Sequence, residues 1–380
     1  MTTTLRVIVD DIVLPSSGGV GRYTEELTRE LIRTAPAGCE VSGVVSASSE
    51  GDYDQLRTLL PGLSDLFKSA LARRELQLSW QHGVTGLPGK GMIHAPSLFA
   101  PIAKRDQSAG PSDQTVVTIH DVVAWTNPSF MSKRQGSWHK TMAKRALKYA
   151  DAVVVPTHAV ANELGEILAF GDRIRVIGGA VGSRLTLPID ADARAGALDL
   201  PERYIMSAGT IDGRKGLEPL IRSLASEHDS GLALVVAGPD GWGPPDFAAI
   251  AADAGVDPSR VRKLGALPDS DLAVVLDRAT VFAFPSLAEG FGLPMIEAFS
   301  FGTPVVHSDA PALLEVGAGA GVAVPLDDQA DYHERLAEAI SSVVNNSALA
   351  ERLRFSGLDR ARAFSWRDSA RQVWQLHADL

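Results

Sequence analysis

The chain contains 380 residues, of which 45% are hydrophobic and 22% are charged, and its formal net charge is −10. One hydrophobic core rarely serves more than about 250 to 300 residues, so we expect two domains, and the acidic balance excludes a protein that mainly coats nucleic acid. Cys39 is the single cysteine, which excludes an intramolecular disulfide and a thiolate zinc site and fits a reducing compartment such as the cytoplasm.

The first predicted elements are a strand, a glycine-rich loop and a helix. Leu5–Val9 is an apolar run of strand length, and Tyr23–Arg33 has helical periodicity. The loop between them contains Gly18 and Gly19, and Gly19–Thr24 reads GVGRYT, which lacks the last glycine of GxGxxG, so a nicotinamide cofactor is not expected. The first apolar run ends too early for a signal peptide, and no uncharged apolar run reaches the roughly 20 residues that cross a bilayer.

Two further buried strands are predicted at Thr115–Ile119 and Ala152–Val155, with a helical pattern over Gly136–Tyr149 between them. The first of these strands ends at His120 and Asp121, the end at which parallel sheets bind ligands. From its position alone, the histidine is as often structural as functional. No HxH or HExxH spacing occurs, so no metal site is expected.

A basic segment overlaps this helix. The range 133–148 carries six positive residues with no acidic residue between them. Such a helix fits a surface for anionic lipid or for a diphosphate-linked acceptor, although a basic helix face is more often simply solvated. The six residues are Lys133, Arg134, Lys140, Lys144, Arg145 and Lys148.

The pattern of strand, turn and helix begins again near the middle of the chain. The stretch 178–201 is rich in Gly, Ala, Pro and Asp and lacks a clear period, so it is predicted to be an interdomain linker. After it, Tyr204–Ser207 predicts a strand, Gly209–Gly216 predicts a turn and Leu217–Ala225 predicts a helix.

The turn of this second half reads GTIDGRKG and ends in the cations Arg214 and Lys215. The helix macrodipole disfavours cations at a helix start unless an anion is bound there, which indicates a diphosphate ligand; the alternative is that both side chains simply reach water. Further strands are predicted at Leu232–Ala237, Val281–Phe284 and Pro304–Val306, with helices between them. Each half is therefore predicted to be a doubly wound α/β domain.

The most informative segment is 284–297, which reads FPSLAEGFGLPMIE. It predicts the end of a strand, a tight glycine turn and a helix with proline in its first turn. The amides of Phe291, Gly292 and Leu293 would then face the crevice beyond the strand ends, where an anion binds readily.

Two glutamates, Glu289 and Glu297, flank the same crevice, where each carboxylate suits a sugar hydroxyl or a ribose. The alternative is that Glu297 only complements the helix dipole and that Glu289 is a solvated loop residue. The segment EGFGLP, with two glutamates eight positions apart, resembles the retaining glycosyltransferases of family 4. The FGTPVV segment at 301–306 and the FSW segment at 364–366 are also similar to that family.

The resemblance implies the GT-B fold, in which two Rossmann-like, doubly wound parallel-sheet domains face a central cleft. The N-terminal acceptor domain would cover 1–185, with a C-terminal helix at 366–380 crossing back to it. The donor domain, which holds the nucleotide sugar, would cover 200–365.

The resemblance also implies roles for residues in both domains. The family equivalents of Glu289 and His120 contact the donor sugar, that of Glu297 binds the nucleotide ribose, and the basic pair clamps the donor diphosphate. Some members carry an arginine directly after the first glycine of GTxxxRK, where this chain has Thr210. The expected catalytic residues are His120, Arg214, Lys215 and Glu289, and the expected donor-binding residues are Gly18, Gly19, Asp121, Gly290, Phe291, Gly292, Leu293 and Glu297.

The implied function is transfer of a hexosyl group, with retention at the anomeric carbon, from a nucleotide diphosphate sugar to a glycan or lipid-linked acceptor. GDP-mannose is favoured over UDP- and dTDP-sugars, because chains with a comparable GTxxxRK segment are often mannosyltransferases. Neither a metal nor a cofactor is expected, and the expected location is the cytoplasm, with peripheral contact to the inner face of the cell membrane through 133–148. The rival functions are a nucleotide-sugar 2-epimerase, which needs no acceptor, and a non-catalytic module that binds nucleotide sugar or glycan.

Overall fold

The computed structural model describes residues 2–14, 18–85, 88–89, 91–104 and 113–380. The chain divides into two compact units, one formed by Met1–Gly179 together with Ser365–Leu380 and the other by Ala180–Phe364. Each unit contains a parallel sheet whose strands alternate with helices along the chain, as the sequence predicts.

The first unit contains a sheet of seven parallel strands within the described residues. These strands are β1 (Thr3–Ile8), β2 (Cys39–Ala47), β3 (Leu66–Ala72), β4 (Met92–Ala95), β5 (Gln114–Thr118), β6 (Ala152–Val155) and β7 (Ile174–Val176). The helices between them are α1 (Gly18–Arg33), α2 (Glu50–Leu59), α3 (Arg73–His82), α4 (Val123–Thr126), α5 (Lys133–Tyr149) and α6 (His158–Ile167). The strand order is β3-β2-β1-β4-β5-β6-β7, so the direction of winding reverses between β1 and β4. Open α/β sheets bind ligands at the carboxyl ends of the strands beside such a reversal.

Strand β6 shows why these apolar runs become central strands. Its four residues, Ala152 to Val155, are all fully buried. Branching at Cβ favours the extended backbone of valine, and a strand that is covered on both faces has no polar side to present to water.

The second unit contains a sheet of six parallel strands. They are β8 (Tyr204–Ala208), β9 (Ala233–Ala237), β10 (Val261–Gly265), β11 (Val281–Phe284), β12 (Val305–Ser308) and β13 (Val322–Val324). The helices are α7 (Ala191–Ala197), α8 (Leu217–Arg222), α9 (Phe247–Ala254), α10 (Asp269–Arg278), α11 (Leu293–Ser300), α12 (Pro311–Gly317), α13 (Tyr332–Val344) and α14 (Ser347–Ala361). The strand order is β10-β9-β8-β11-β12-β13, and the winding reverses between β8 and β11.

Both faces of this second sheet are covered. Successive strand residues point to opposite faces, so Tyr204 and Phe282 belong to one buried cluster, whereas Ile205 and Val281 belong to the other. The sheet is therefore the middle layer of the unit, and its polar groups are concentrated at the ends of the strands.

The last helix, α15 (Trp366–Asp379), belongs to the first unit. Its Trp374 donates from Nε1 to the carbonyl oxygen of Leu31 in α1 at 3.1 Å. The side-chain amide of Gln114, at the start of β5, donates to the carbonyl oxygen of His377 at 3.1 Å. These bonds attach the C-terminal helix to both a helix and a strand of the first unit.

The structure differs from the sequence prediction at the N-terminal glycines. The loop predicted around Gly18 and Gly19 is instead the first turn of α1, which begins at Gly18. Glycine within a helix costs up to about 1 kcal/mol relative to alanine, and burial of the helix can offset that cost. Here α1 packs against α15, an element that local sequence patterns do not connect with these glycines.

The stretch 178–201, predicted to be a linker, contains α7. Within it, Arg194 forms ion pairs with Asp190 at 2.8 Å and with Asp271, at the start of α10, at 2.6 Å. Most of the stretch is therefore part of the second unit.

Gly238 follows β9 and provides a test of how closely the loops of this sheet approach each other. Its φ is +146°, and a Cβ at this position would lie 1.8 Å from the carbonyl oxygen of Gly209, so the backbone after β8 would have to move. We expect Gly238→Ala to lower the free energy of unfolding by about 3 kcal/mol or more. Gly255→Ala is the matched control, because Gly255 has φ +73° and open space around the added Cβ, and should cost only about 1 to 2 kcal/mol. Urea denaturation measures both values, and equal costs would contradict the close contact.

Candidate functional site

Two loops meet at the carboxyl ends of β8 and β11, beside the reversal in the second sheet. One is Gly209–Gly216 and the other runs from Pro285 to Gly292. Gly216 has φ +63°, and a Cβ on it would lie 2.1 Å from the carbonyl oxygen of Pro285. The amide of Leu287 donates to the carbonyl oxygen of Arg214 at 2.8 Å. The two loops are therefore in direct backbone contact, which only glycine permits at this point.

A buried ion pair connects these loops. Lys215 Nζ lies 2.5 Å from Glu289 Oε1, and the two side chains are 10% and 8% exposed. The ammonium group also lies 5.0 Å from the centroid of the Phe284 ring at the end of β11. The structure thus brings together two residues that the sequence predicts separately as site residues.

Arg214 completes this cluster of charges. Its Nη1 atom lies 3.9 Å from Glu289 Oε2, and its Nε atom lies 3.9 Å from Asp212 Oδ1. The carboxylate of Asp212 also accepts the backbone amide of Arg214 at 3.0 Å, which fixes the start of the Gly213–Lys215 turn. Two cations and two carboxylates therefore lie at one edge of the sheet.

Burial and charge shift the pKa values of this cluster. Burial alone would raise the pKa of Glu289, but the positive charges of Lys215 and Arg214 outweigh it and hold the pKa below its ordinary value. Burial lowers the pKa of Lys215, and the charge of Arg214 lowers it further, against the opposing effect of Glu289. The carboxylate form of Glu289 is thus favoured by its partners.

The turn after Glu289 leads into α11 as predicted. Gly292 has φ +92°, and a Cβ there would lie 2.6 Å from Leu313 Cδ2. Proline stands in the first turn of the helix, and Glu297 on the same helix is buried. Three backbone amides in the turn after Gly290 donate no hydrogen bond within the described part of the chain: those of Phe291, Gly292 and Leu293. The turn therefore presents a group of N–H donors that a ligand could use. The Phe291 side chain packs into the core.

In the first unit, His120 follows β5 as predicted. Its Nε2 atom lies 2.7 Å from the carbonyl oxygen of Pro96, which follows β4. A carbonyl oxygen only accepts, so Nε2 carries the proton and Nδ1 has a free lone pair. Burial lowers the pKa of His120, against the hydrogen bond to Pro96 and the charges of Asp121 and Asp11. The neutral imidazole is therefore favoured.

The neighbouring predicted residues lie on the same unit. Asp121 Oδ1 accepts the backbone amide of Val123 at 3.0 Å and so fixes the start of α4. Gly18 has φ +52° and begins α1, with Gly19 in the same helical turn. The first unit thus contains His120, Asp121 and the two glycines, and the second contains the other predicted site residues.

Sequence patterns missed an acidic group at the carboxyl end of β1. Asp11 Oδ1 accepts from Arg73 at 2.6 Å and Asp11 Oδ2 accepts from the Ser97 hydroxyl at 2.7 Å. Burial raises the pKa of the adjacent Asp10 to about 6, against hydrogen bonds from Ser46. The available signal was a pair of aspartates directly after a buried strand, a position that favours ligands in such sheets.

Neither a clustered metal site nor a membrane-spanning helix occurs in the described ranges. No group of three or more His, Cys, Asp or Glu side chains is arranged there to hold a metal ion. None of the helices there is both long and apolar enough to cross a bilayer. On α5, Lys133, Arg134, Lys144 and Lys148 are exposed. The other cations of the basic segment are partly buried, and Arg145 donates to the carbonyl oxygen of Ile102.

Two family models match most of the chain between them. Residues 17–182 match the model described as Glycosyltransferase Family 4, and residues 189–358 match the model described as Glycosyl transferases group 1. The second match contains the Lys215–Glu289 pair, and the first contains His120.

Individual relatives agree with these matches. The chain is 28% identical over 295 residues to O-antigen chain mannosyltransferase B of Escherichia coli, covering 74% of this chain and 72% of that protein. It is 31% identical over 254 residues to a D-inositol 3-phosphate glycosyltransferase of a Nocardioides species, covering 62% of this chain and 55% of that protein, so it spans about half the length of that relative. The crystal structure of Anabaena HepE in complex with UDP and glucose shares the fold, with a TM-score of 0.72 and 16% identity over 100% of both chains.

The buried pair predicts an unusual pH dependence of stability. Removing one member of a buried ion pair costs about 3 to 5 kcal/mol, so we expect Lys215→Met to destabilise the protein by that order at pH 7. In the native protein the pKa of Glu289 is lowered, so its contribution to stability is present above the unfolded pKa and is lost as the pH falls through the folded pKa. In the variant the Glu289 carboxylate stays buried with only the more distant Arg214 as a cationic partner, so its pKa rises. Protonation at low pH then removes the cost of burying a poorly paired charge.

The difference in unfolding free energy between the two proteins should therefore shrink as the pH is lowered from 7 towards 4. Urea denaturation at several pH values measures it. Arg222→Met is the control, because Arg222 forms exposed ion pairs with Glu218 and Asp253 and its loss should cost about 1 kcal/mol or less at every pH. A difference that stays constant with pH would show that Glu289 does not depend on Lys215.

Proposed function

The chain belongs to the group 1 glycosyl transferases and has their GT-B fold, and we propose that it transfers a hexosyl group, with mannose favoured, from a nucleotide diphosphate sugar to a glycan or lipid-linked acceptor. The observation that carries this proposal is the buried Lys215–Glu289 pair beside Arg214, at the strand ends where α/β sheets bind ligands. The cations Arg214 and Lys215, together with the amides after Gly290 that donate no hydrogen bond, suit two linked phosphates.

The second unit would hold the donor. Arg214 and Lys215 would bind the diphosphate and offset the negative charge that develops on the departing nucleotide. Glu289, already an ionised acceptor, would hold hydroxyl groups of the donor sugar, and Glu297 would bind the ribose. Because Lys215 and Glu289 hold each other in place before the donor binds, these side chains would not need to reorganise as the bond between the sugar and the diphosphate breaks.

The first unit would add contacts to the same substrate. His120 Nδ1, with its free lone pair, would accept a hydrogen bond from a donor-sugar hydroxyl. Asp121 would hold the segment that follows His120 in place. Gly18 and Gly19, without side chains in the first turn of α1, would let a donor phosphate approach the backbone.

The donor is proposed from two relatives. The similarity to an O-antigen chain mannosyltransferase supports GDP-mannose, whereas the fold shared with a protein solved in complex with UDP and glucose keeps UDP-sugars, and likewise dTDP-sugars, as alternatives. We propose transfer with retention at the anomeric carbon, with the donor phosphate taking the acceptor proton, and without metal or cofactor. The proposed location is the cytoplasm, where the exposed lysines of α5 would contact an anionic membrane or a lipid-linked acceptor.

Substitutions in the second unit test the proposed site. Removing one preorganised hydrogen-bonding group from an active site typically costs about 10² to 10³ in kcat, so Lys215→Ala, which loses a donor, and Glu289→Gln, which loses a charged acceptor, should each lower the rate of nucleotide release by that order. Arg222→Ala, which removes an exposed ion-pair cation from the same unit, should retain the native rate. Unchanged release by both site variants would show that the assignment is wrong.

The same assay separates the rival functions. A transferase should release nucleotide efficiently only when an acceptor is present, and chelation by EDTA should leave the rate unchanged. Conversion of the sugar to its 2-epimer without any acceptor would support a 2-epimerase, and binding of nucleotide sugar without turnover would support a non-catalytic module.

A panel of nucleotides tests the donor. A ligand that binds only the native state at 100 times its Kd raises stability by about 2.7 kcal/mol, so GDP should raise the melting temperature by several degrees. UDP and dTDP at equal concentration should raise it less. A shift with UDP and none with GDP would show that GDP-mannose is not the favoured donor and would leave the transferase proposal intact.

A further inference from the structure

The rings of His120, Tyr23 and Trp366, from distant parts of the sequence, pack in a row in the first unit. The ring of Tyr23, on α1, lies edge-on to the imidazole of His120, with centroids 4.8 Å apart and an interplanar angle of 85°. The Tyr23 ring also contacts that of Trp366, the first residue of α15, with centroids 5.3 Å apart and an interplanar angle of 74°. Both are T-shaped contacts in the preferred distance range, each worth about 0.5 to 1.5 kcal/mol beyond the burial of area. All three residues belong to the first unit.

The imidazole is therefore held from two directions. The carbonyl oxygen of Pro96 accepts from Nε2, and the Tyr23 ring closes one side. A single hydrogen bond would let the ring pivot about the line from nitrogen to oxygen, because it fixes one atom and not the plane. The aromatic contact removes that freedom, and it leaves Nδ1 as the nitrogen that is open to a ligand.

We propose that Tyr23 and Trp366 are positioning residues for His120: the packed rings hold the imidazole so that Nε2 stays on the Pro96 carbonyl and Nδ1 stays available to a donor-sugar hydroxyl. Trp366 acts through Tyr23, because it contacts Tyr23 and supports it from the C-terminal helix. This inference rests on the proposed role of His120.

The same packing decides which form of His120 is populated. Three titratable groups influence its ring: Asp121 on its own segment, Asp11 after β1, and His139 on α5. The hydrogen bond to the Pro96 carbonyl and the two carboxylates favour the charged imidazolium, and burial outweighs them. Opening the Tyr23 side to water would weaken the effect of burial, so the pKa of His120 would rise towards its ordinary value.

The test compares four single variants in full-length protein. Tyr23→Leu removes the ring. Tyr23→Phe keeps the ring and removes only the phenolic hydroxyl, which is buried near the side chain of Thr118. Trp366→Leu removes the support behind Tyr23, and Tyr53→Leu removes a buried tyrosine elsewhere in the first unit as a control for lost stability.

We expect Tyr23→Leu to move the acidic limb of kcat/KM to higher pH. If the imidazole reaches its ordinary pKa of about 6.5, about three quarters of it is protonated at pH 6, so activity at pH 6 relative to pH 8 should fall roughly fourfold. Trp366→Leu should move the limb in the same direction by less, and should add little in a protein that already carries Tyr23→Leu. Tyr23→Phe and Tyr53→Leu should retain the native profile.

A spectroscopic measurement separates this inference from the proposed function. The pKa of His120, followed by NMR and assigned with His120→Asn, should rise in Tyr23→Leu and, by less, in Trp366→Leu whether or not the protein transfers sugar. If Tyr23→Leu does not fold, Trp366→Leu carries the same measurement. An unchanged His120 pKa in the folded variants would overturn the positioning role. Full activity of His120→Asn, by contrast, would remove His120 from the proposed site and leave the packing observation standing.

Discussion

The second unit depends on one interaction, the buried ion pair between Lys215 and Glu289. Removing an ammonium and a carboxylate from water costs several kcal/mol per ion, and only close contact and a nearby second cation offset that cost. Two glycines make the contact geometrically feasible. Gly216 lets its loop touch the end of β11, and a Cβ at Gly209 would lie 3.2 Å from Lys215 Cε, so its absence leaves room for the lysine side chain. Apolar residues of similar volume would often be as stable, so the charged pair is better explained by function than by stability.

Burial is accompanied by opposite charge states in the two units, an ionised glutamate in one and a neutral histidine in the other. In the second unit, cations keep Glu289 ionised although the group is buried. In the first unit, burial prevails over nearby carboxylates and keeps His120 neutral. An ionised carboxylate accepts hydrogen bonds only, and an imidazole that donates from Nε2 accepts at Nδ1, so each unit presents acceptors that match the hydroxyl groups of a sugar.

Sequence patterns predicted the parts of the fold that are locally encoded. The turn at Gly209–Gly216 and the glycine–proline start of α11 follow from residues whose backbone preferences are strong, and both appear where expected. Strands such as β2 and β3 were not predicted, because their residues are polar in part and only one residue of β3 is buried. The helix over Gly18 and Gly19 was missed for a similar reason, since packing against α15 outweighs the low helix propensity of glycine.

The site shows the same division between local and long-range information. Glu289, Lys215 and His120 were predicted as site residues because each stands at the end of a predicted strand or in a distinctive turn. That Lys215 bonds to Glu289, and that Tyr23 contacts both His120 and Trp366, depends on strand order and on the return of the C-terminal helix. No local pattern contains that information.

The pairing of Lys215 with Glu289 does not prevent the lysine from binding phosphate. An ammonium group has three N–H donors, and within the described residues one of them is used, by Glu289 Oε1. Two donors remain for phosphate oxygens, so a donor diphosphate can be bound without breaking the pair. The carboxylate would then stay fixed by the same atom that neutralises the leaving group, and a shift of either partner would displace both the sugar and the diphosphate. In the proposed function, one contact would thus link the position of the sugar to the charge that offsets the departing nucleotide.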